Sequence, residues 1–400
     1  MKRLLSKDLL ALLTRDLMIM ALATFFMRFG QGVLGGARTN FFVDTLGLSG
    51  GLVLRLEGIR EIPGLALIFI AALTMRFSPS RQGAAWVAII AVGYMLYATV
   101  HSYVALLAVA TFTSFGFHGY MPLGPVLGMS LATENTRGRV LGLLASVGSL
   151  ATIVGMGALA LTSGIVQNLS LRWSYVIGGA IILISAVLLT RLPRDLGAAS
   201  GEQPRMLLKR RYWLYYVLTF FEGSRKQVMG TFTSLVLVDV YDWRVWEISS
   251  LLLVSALLNL VLSPYLGALV DRYGTRVTLS SSYAILVLCC IGYALIAQPV
   301  ILAGLYVLIR LAIILSFGLQ VFVNRIAPQE ELRPTLSAGV SINHVPSVPM
   351  PIIAGMLIPV IKYSGLFIMT GALIALSLPF ALSLRADQPA ISRIEPAMAE

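Results

Sequence analysis

The 400-residue sequence has little charge and almost no cysteine or histidine. Only 12% of its residues are Asp, Glu, Lys or Arg, about half the share found in ordinary soluble domains. Because 58% of the residues are apolar, a water-soluble fold is excluded. The 2 cysteines, Cys289 and Cys290, are adjacent in an apolar run, which excludes a disulfide framework and a zinc or iron–sulfur site built on cysteine. With only 3 histidines, no metal site and no cofactor are expected.

Long apolar runs fill the rest of the chain. About 20 consecutive apolar residues cross a bilayer as a helix, and the runs form two groups of six on either side of one polar stretch. The predicted spans lie near 17–44, 51–75, 83–100, 102–131, 138–165, 173–190, 212–239, 248–270, 277–297, 300–323, 335–361 and 366–384. The sequence therefore predicts an all-α membrane protein with 12 transmembrane helices in two six-helix pseudo-repeats.

The positions of the basic residues predict the orientation of these spans. Outside the spans, lysines and arginines fall on one side of the membrane except for Arg172, Arg244 and Lys362. Positively charged short loops stay in the cytoplasm, so both termini are expected on the cytoplasmic side. The protein is expected in the inner or plasma membrane of the cell. The net charge of +12 then reports orientation, and no nucleic-acid partner is expected. The predicted domains are a first half (1–190) with an amphipathic lead-in, a cytoplasmic linker (191–211), a second half (212–385) and a cytoplasmic tail (386–400).

The two halves share a sequence register. Matching residues recur at an offset of 195 positions, which indicates a duplication. The matched positions are Thr24 to Phe26 with Thr219 to Phe221, Val33 with Val228, Gly35 with Gly230, and Asp44 with Asp239. Because each half crosses the membrane an even number of times, the copies share one orientation, and a substrate site is expected between them near the midplane.

A short motif follows the predicted eighth span. It reads Gly267-Ala-Leu-Val-Asp271-Arg272-Tyr-Gly274-Thr-Arg276 and resembles the G-x-L-x-D-R-x-G-x-R signature of the major facilitator superfamily. The resemblance implies a secondary transporter, with a cytoplasmic gate at Gly267, Asp271, Arg272 and Gly274. The first-half copy keeps its arginines but has Met75 in place of the acidic residue.

Several polar side chains lie deep inside the predicted spans. Charges at membrane depth are costly unless they are paired or hydrated, so each is a candidate functional residue. Glu222, Arg225 and Lys226 share one helix face at spacings i, i+3 and i+4. The resemblance implies that the first, fourth, seventh and tenth spans line the central cavity. The predicted substrate-binding residues are Arg28, Gln31, His118, Arg225, Lys226 and Arg310, and Glu222 is the candidate for proton coupling.

Four of these side chains are cationic and one is acidic, so an anionic ligand would balance the excess positive charge. Two structural alternatives stay open. Arg28 or Arg310 pairs with Glu222 and locks the bundle, and His118 is a hydrogen-bonded packing residue. A second charged group lies toward the outer ends of the spans and is predicted to form an outer gate or a structural network: Arg38, Asp44, Glu57, Arg60, Glu61 and Asp239.

No Walker loop, dinucleotide fingerprint or nucleophile elbow is present, so no enzymatic activity is predicted. The favoured hypothesis is a monomeric transporter that moves a small organic anion across the lipid bilayer by alternating access, with protons as the candidate coupling ion. Two alternatives are export of amphipathic drugs or lipids, indicated by Phe117, Tyr120 and Met121, and a membrane receptor or scaffold that no longer transports.

Overall fold

A computed structural model describes residues 14–66, 74, 77–132, 136–166, 170–197, 208–316, 318–327 and 329–384. Every regular element in these ranges is helical, which confirms the predicted all-α class. The α-helices are α1 (Arg15–Asn40), α2 (Gly50–Ile59), α3 (Ile62–Leu65), α4 (Pro79–Tyr97), α5 (Tyr103–Tyr120), α6 (Leu123–Ser130), α7 (Arg137–Ile165), α8 (Leu171–Leu189), α9 (Trp213–Gln227), α10 (Thr233–Asp239), α11 (Val245–Leu295), α12 (Pro299–Leu315), α13 (Gly318–Ile326), α14 (Gln329–Ser347) and α15 (Pro349–Leu382).

Seven helices of the described chain are long and apolar enough to cross a membrane, and α12 is a shorter apolar helix. Two of the longest elements contain a break between predicted spans. Gly274 (φ 77°) interrupts α11, and Lys362 (φ 56°) interrupts α15. Positive φ is the ordinary choice of glycine at such a turn, whereas Lys362 adopts it as a non-glycine residue. The protein is therefore a multi-pass membrane protein, and the count of twelve spans stays a prediction.

Local chemistry explains where the first helix begins and how closely it packs. The Thr14 hydroxyl accepts a hydrogen bond from the backbone N–H of Leu17 and caps α1. α1 packs against α7 and α8, and α8 packs against α4. Small residues permit this approach: a Cβ atom on Gly179 would lie only 2.7 Å from the Ala91 carbonyl oxygen.

The described residues pack into two compact units. Unit 1 draws on Met1–Gln203, Gln227–Leu260 and Ser347–Tyr363. Unit 2 draws on Pro204–Lys226, Val261–Pro346 and Ser364–Glu400. Unit 1 therefore contains α10 and the first parts of α11 and α15 together with the first half. The predicted outer charged group lies within unit 1, whereas the predicted substrate-binding group is divided. Arg28, Gln31 and His118 belong to unit 1, and the others belong to unit 2: Glu222, Arg225, Lys226 and Arg310.

Inside unit 1, the two sequence repeats meet at equivalent residues. The Thr39 and Ser234 hydroxyls lie 3.5 Å apart and are separated by 195 positions in the chain, which is the offset of the sequence repeat. A contact between equivalent residues lies on the axis that relates two copies. Nearby, a Cβ atom on Gly51 of α2 would lie 2.7 Å from the Gly355 carbonyl oxygen of α15. We call the contact formed by Thr39, Ser234, Gly51 and Gly355 the inter-repeat seam.

Candidate functional site

Unit 1 contains a cavity of about 530 Å³ between α1, α5, α6 and α7, which we call the Arg28 cavity. Its walls are mostly apolar and aromatic. The lining residues are Met20, Thr24, Met27, Arg28, Phe117, Tyr120, Met121, Gly124, Pro125, Leu141, Leu144, Ala145, Gly148, Ser149 and Thr152. Arg28 is the one charged residue in this lining, so the described wall of the cavity has no counterion for it.

The sequence places Arg28 in the cavity through helical spacing. Met20, Thr24, Met27 and Arg28 recur at intervals of three and four residues, which puts them on one face of α1. Across the cavity, a Cβ atom on Gly148 would lie 3.2 Å from Arg28 Cγ, so the glycine leaves room for the arginine stem. The Arg28 guanidinium is exposed and donates a 3.2 Å hydrogen bond to the Gln31 side-chain oxygen. Two of the predicted substrate-binding residues are thus in contact, and their binding role stays a prediction.

Other predicted residues form a buried cluster in the same unit. Glu57 is 0% exposed and accepts hydrogen bonds from Arg38 and from Arg60 Nε, the latter at 2.7 Å. Glu61 lies 3.9 Å from the Arg60 guanidinium. His118, predicted as a substrate ligand, belongs here: its Nε2 lies 4.0 Å from the Glu61 carboxylate. We call these five residues the Glu57 cluster.

His118 is held from its other ring nitrogen as well. Its Nδ1 lies 3.1 Å from the Ser114 hydroxyl and 3.0 Å from the Ser114 carbonyl oxygen, and the side chain is 3% exposed. It does not line the Arg28 cavity. The two repeat-related aspartates lie apart from this cluster: Asp44 accepts a 2.8 Å hydrogen bond from Asn40, and Asp239 accepts one from the Tyr363 hydroxyl.

Unit 2 holds the remaining charged candidates. Arg225 is 5% exposed, lies 3.6 Å from Glu222, and has its guanidinium 4.2 Å from the centre of the Tyr283 ring. The Tyr283 hydroxyl donates to Glu222 at 3.4 Å. Arg310 donates from Nε (3.0 Å) and Nη2 (2.6 Å) to the hydroxyl of Tyr306, while Lys226 is exposed. The cations of unit 2 thus differ in burial, and Arg225 has an acidic partner.

The motif predicted as a cytoplasmic gate lies in unit 2. Gly274 adopts φ 77°, which a glycine reaches without the strain of a Cβ atom. The Arg272 guanidinium lies 5.2 Å from the centre of the Tyr273 ring. Gly267 and the side chain of Asp271 lie outside what the structure describes, as do Met75 and Arg76 of the first-half copy of the motif. The gate role stays a prediction.

Residues 20–348 match the model of the Major Facilitator Superfamily. The chain belongs to this superfamily. It is therefore a multi-pass membrane transporter for a small molecule, as the sequence resemblance implied. No curated protein sequence matches it significantly.

Solved structures share the superfamily fold of the transporter at low identity. The nucleoside transporter NupG matches with a TM-score of 0.75 and 14% identity, over 94% of this chain and 100% of its own. A bacterial homologue of the human lysosomal transporter Spinster matches with a TM-score of 0.71 and 13% identity, over 92% and 95%. A POT family transporter in complex with a thioalcohol-conjugated peptide matches with a TM-score of 0.70 and 12% identity, over 92% and 95%. At these identities the likeness establishes the fold alone.

The structure also contains polar contacts that the sequence did not reveal. Tyr306 lies four residues before Arg310, and this spacing was a usable signal because residues at i and i+4 are neighbours on a helix. Tyr283 lies 61 positions from Glu222 and gave no local signal. Glu331 accepts hydrogen bonds from Lys209 and from the Tyr212 hydroxyl, each at 2.8 Å. A link between the predicted linker and α14 cannot be found from periodicity.

Proposed function

We propose that the transporter carries a small organic anion by alternating access and that Arg28 binds its anionic group. The observation that supports this is the composition of the Arg28 cavity. One exposed guanidinium faces about 530 Å³ of space, and the only charged residue in the described lining is that arginine. Its side-chain partner, Gln31, is neutral.

The physical argument is one of charge balance. A guanidinium in apolar surroundings is stabilised by a carboxylate, phosphate or sulfonate, and its planar fork suits two parallel hydrogen bonds. A hydrogen bond to a charged group contributes about 1.5–3 kcal/mol. The Ser149 hydroxyl also lines the cavity and could donate to the anion, whereas Thr24 and Thr152 already donate to the carbonyl oxygens of Met20 and Gly148. The apolar wall accommodates an organic body.

Within the same proposal, Glu222 is the candidate carrier of a coupling proton. Its side chain is 24% exposed and contacts both Arg225 and Tyr283. Protonation would remove the negative charge beside a cation that is 5% exposed, so the two events are energetically linked. We expect Glu222→Gln to abolish stimulation of uptake by an imposed pH gradient while leaving exchange without a gradient intact.

The test of the anion proposal is counterflow in proteoliposomes with a panel of labelled monocarboxylates. We expect Arg28→Gln to reduce exchange about 10- to 100-fold, which corresponds to about 1.4–2.8 kcal/mol, and Arg28→Lys to reduce it less. Arg15→Gln is the matched control, because Arg15 is an exposed arginine at the start of the same helix. Equal anion exchange by the wild type and Arg28→Gln would overturn the proposal.

The same cavity supports a second candidate function, export of amphipathic drugs or lipids. Met20, Met27, Met121, Phe117 and Tyr120 all line it, and methionine side chains adapt to varied apolar ligands. This function predicts that lipophilic cations stabilise the protein and undergo exchange, and that Arg28→Gln leaves both unchanged. The counterflow panel therefore includes such cations beside the monocarboxylates.

A further inference from the structure

A second cavity in unit 1, of about 200 Å³, lies at the inter-repeat seam. We call it the Arg55 cavity. It is lined by Ser49, Gly50, Gly51, Leu52, Arg55, Asp239, Gly355, Ile358, Pro359 and Tyr363. None of these residues lines the Arg28 cavity. The start of α2, the end of α10 and the middle of α15 therefore meet around a space separate from the proposed anion site.

Two opposite charges face this cavity without pairing with each other. Arg55 makes no salt bridge to a carboxylate of the described chain, and its Nε is buried without a hydrogen-bond acceptor. The neighbouring arginines, Arg38 and Arg60, are already bound to Glu57. Asp239 is the carboxylate that shares the cavity with Arg55, and it accepts a hydrogen bond from Tyr363. Arg55 thus differs from Arg38 and Arg60 in having no carboxylate partner in the described chain.

Backbone groups add to the positive side of the cavity. α2 begins at Gly50, and its N-cap residue Ser49 makes no capping hydrogen bond through its side chain. The first N–H groups of a helix have no partner within the helix, and they favour a bound anion. Gly50 and Gly51 both line the cavity. The end of the cavity formed by α2 therefore combines the helix N-terminus with Arg55, whose guanidinium has no carboxylate partner in the described chain.

The negative side has diverged from its repeat counterpart. In the first repeat, Asp44 bonds to Asn40. The position equivalent to Asn40 at the repeat offset is Leu235, which has no donor, and Asp239 instead accepts from Tyr363 of α15. Tyr363 follows Lys362, whose φ of 56° marks the break in that element. Of the two equivalent aspartates, Asp239 lines the Arg55 cavity and Asp44 does not.

We propose that the Arg55 cavity binds a small zwitterion. Its carboxylate contacts Arg55 and the first N–H groups of α2, and its ammonium group contacts Asp239. An anion alone leaves Asp239 without a cation, and a cation alone leaves Arg55 without an acceptor, so a ligand with both charges matches the cavity. The volume suits a molecule of the size of glycine. Because the ligand contacts both repeats, its binding stabilises the inter-repeat seam.

The proposal is tested with the purified full-length transporter and three probes: glycine, acetate and methylammonium. Binding is measured by equilibrium dialysis and by the concentration dependence of the unfolding temperature. We expect glycine to bind at least about tenfold more tightly than either other probe, and Arg55→Gln and Asp239→Asn each to weaken glycine binding about tenfold. Asp44→Asn, at the equivalent position outside the cavity, is the matched control and should bind glycine as the wild type does.

Each alternative result overturns the proposal in a distinct way. Acetate binding as strong as glycine binding, unaffected by Asp239→Asn, would show an anion site. Glycine binding that survives both variants would place it elsewhere, and no binding by any probe would remove the site. If Arg55→Gln does not fold, Arg55→Lys keeps the charge, and we expect it to weaken glycine binding by a smaller factor. Because acetate could also bind at Arg28 under the anion proposal, the three probes are measured in the Arg28→Gln variant as well, where we expect the same preference for glycine and the same effects of Arg55→Gln and Asp239→Asn.

Discussion

Two arginines of α1 occupy opposite electrostatic surroundings. Arg38 pairs with Glu57, a carboxylate that is 0% exposed and is shared with Arg60. Arg28 is exposed within a cavity and has only the neutral Gln31 as its side-chain partner in the described part of the chain. Both arginines stand in apolar stretches of the same helix. What distinguishes them is whether another helix supplies a counterion.

This difference separates charges that stabilise the fold from charges that are available to a ligand. A buried ion cluster gives little net stability against an apolar replacement, yet the removal of one member is costly because the others stay buried without a partner. Removal of a cation that is exposed in a cavity costs the protein little stability, but it weakens the binding of the ligand that the cation contacts. Substitutions in the Glu57 cluster should therefore lower mainly the free energy of unfolding, whereas substitution of Arg28 should lower mainly transport.

The largest stability effect is expected for Glu57→Gln. The variant leaves two arginines, Arg38 and Arg60, without their shared buried carboxylate. Because their side chains are 32% and 27% exposed, water compensates for part of the loss, and we expect the free energy of unfolding to fall by about 3 kcal/mol, the lower end for a broken buried pair. Denaturant unfolding of the purified protein in detergent measures it. Glu247→Gln is the control, because Glu247 caps the start of α11 by accepting from the Arg244 backbone N–H and is not buried. If Glu57→Gln unfolds like the wild type, the distinction between the two sites fails.

The Glu222 and Arg225 pair tests an intermediate case. Arg225 is 5% exposed, whereas the Glu222 side chain is 24% exposed, so water can partly replace the lost partner. We expect Glu222→Gln to lower the free energy of unfolding by about 2–3 kcal/mol. The double variant with Arg225→Gln should recover part of this loss, since no buried cation remains. Strictly additive losses in this double-mutant cycle would show that the two side chains are not coupled.

The fold followed from the sequence because the thickness of a bilayer limits the length of a span. The signature motif also placed a turn at Gly274, where φ is 77°. The contact between Thr39 and Ser234 gives the sequence offset of 195 a geometric meaning. Each of these features depends on short stretches of chain or on a fixed register, both of which are visible in one sequence.

The sequence predicted only part of the pairing between charged side chains. The spacing placed Glu222 and Arg225 on one helix face without identifying them as a pair, and the structure brings their charged groups to 3.6 Å. The partners Arg38 and Glu57 lie 19 positions apart on different helices, so periodicity could not pair them. The sequence grouped Arg28 with Arg225 and Arg310, whereas the structure gives these arginines different immediate neighbours. His118 lies in the Glu57 cluster because α5 packs against α3, a tertiary contact.

Glycine substitutions examine whether backbone contact, rather than charge, closes the inter-repeat seam. A Cβ atom on Gly51 would lie 2.7 Å from the Gly355 carbonyl oxygen, and neither backbone can move away as a flexible side chain would. We expect Gly51→Ala to lower the free energy of unfolding by about 1–2 kcal/mol. Gly142→Ala is the control, because nothing lies within 4 Å of its Cβ position, and it should be neutral or slightly stabilising. An equal response from both glycines would mean that the seam tolerates a side chain.

The smallest effect on stability is expected at Glu331. Its carboxylate is paired with Lys209 and Arg211, but this ion cluster lies outside the predicted membrane spans. Hydrogen bonds from Lys209, Arg211 and Tyr212 lower the pKa of Glu331 from 4.5 to about 2. A carboxylate with a lowered pKa in the folded state stabilises the protein above its unfolded pKa, and this contribution is lost as the pH falls toward the folded value. The unfolding temperatures of the wild type and Glu331→Gln should therefore differ slightly at about pH 6 and converge between about pH 4.5 and 2. Glu331→Asp keeps the negative charge and serves as the control. If the two unfolding temperatures still differ at about pH 2, Glu331 acts through packing and not through its charge. Its contacts would then resemble the buried Glu57 cluster more than a surface ion pair.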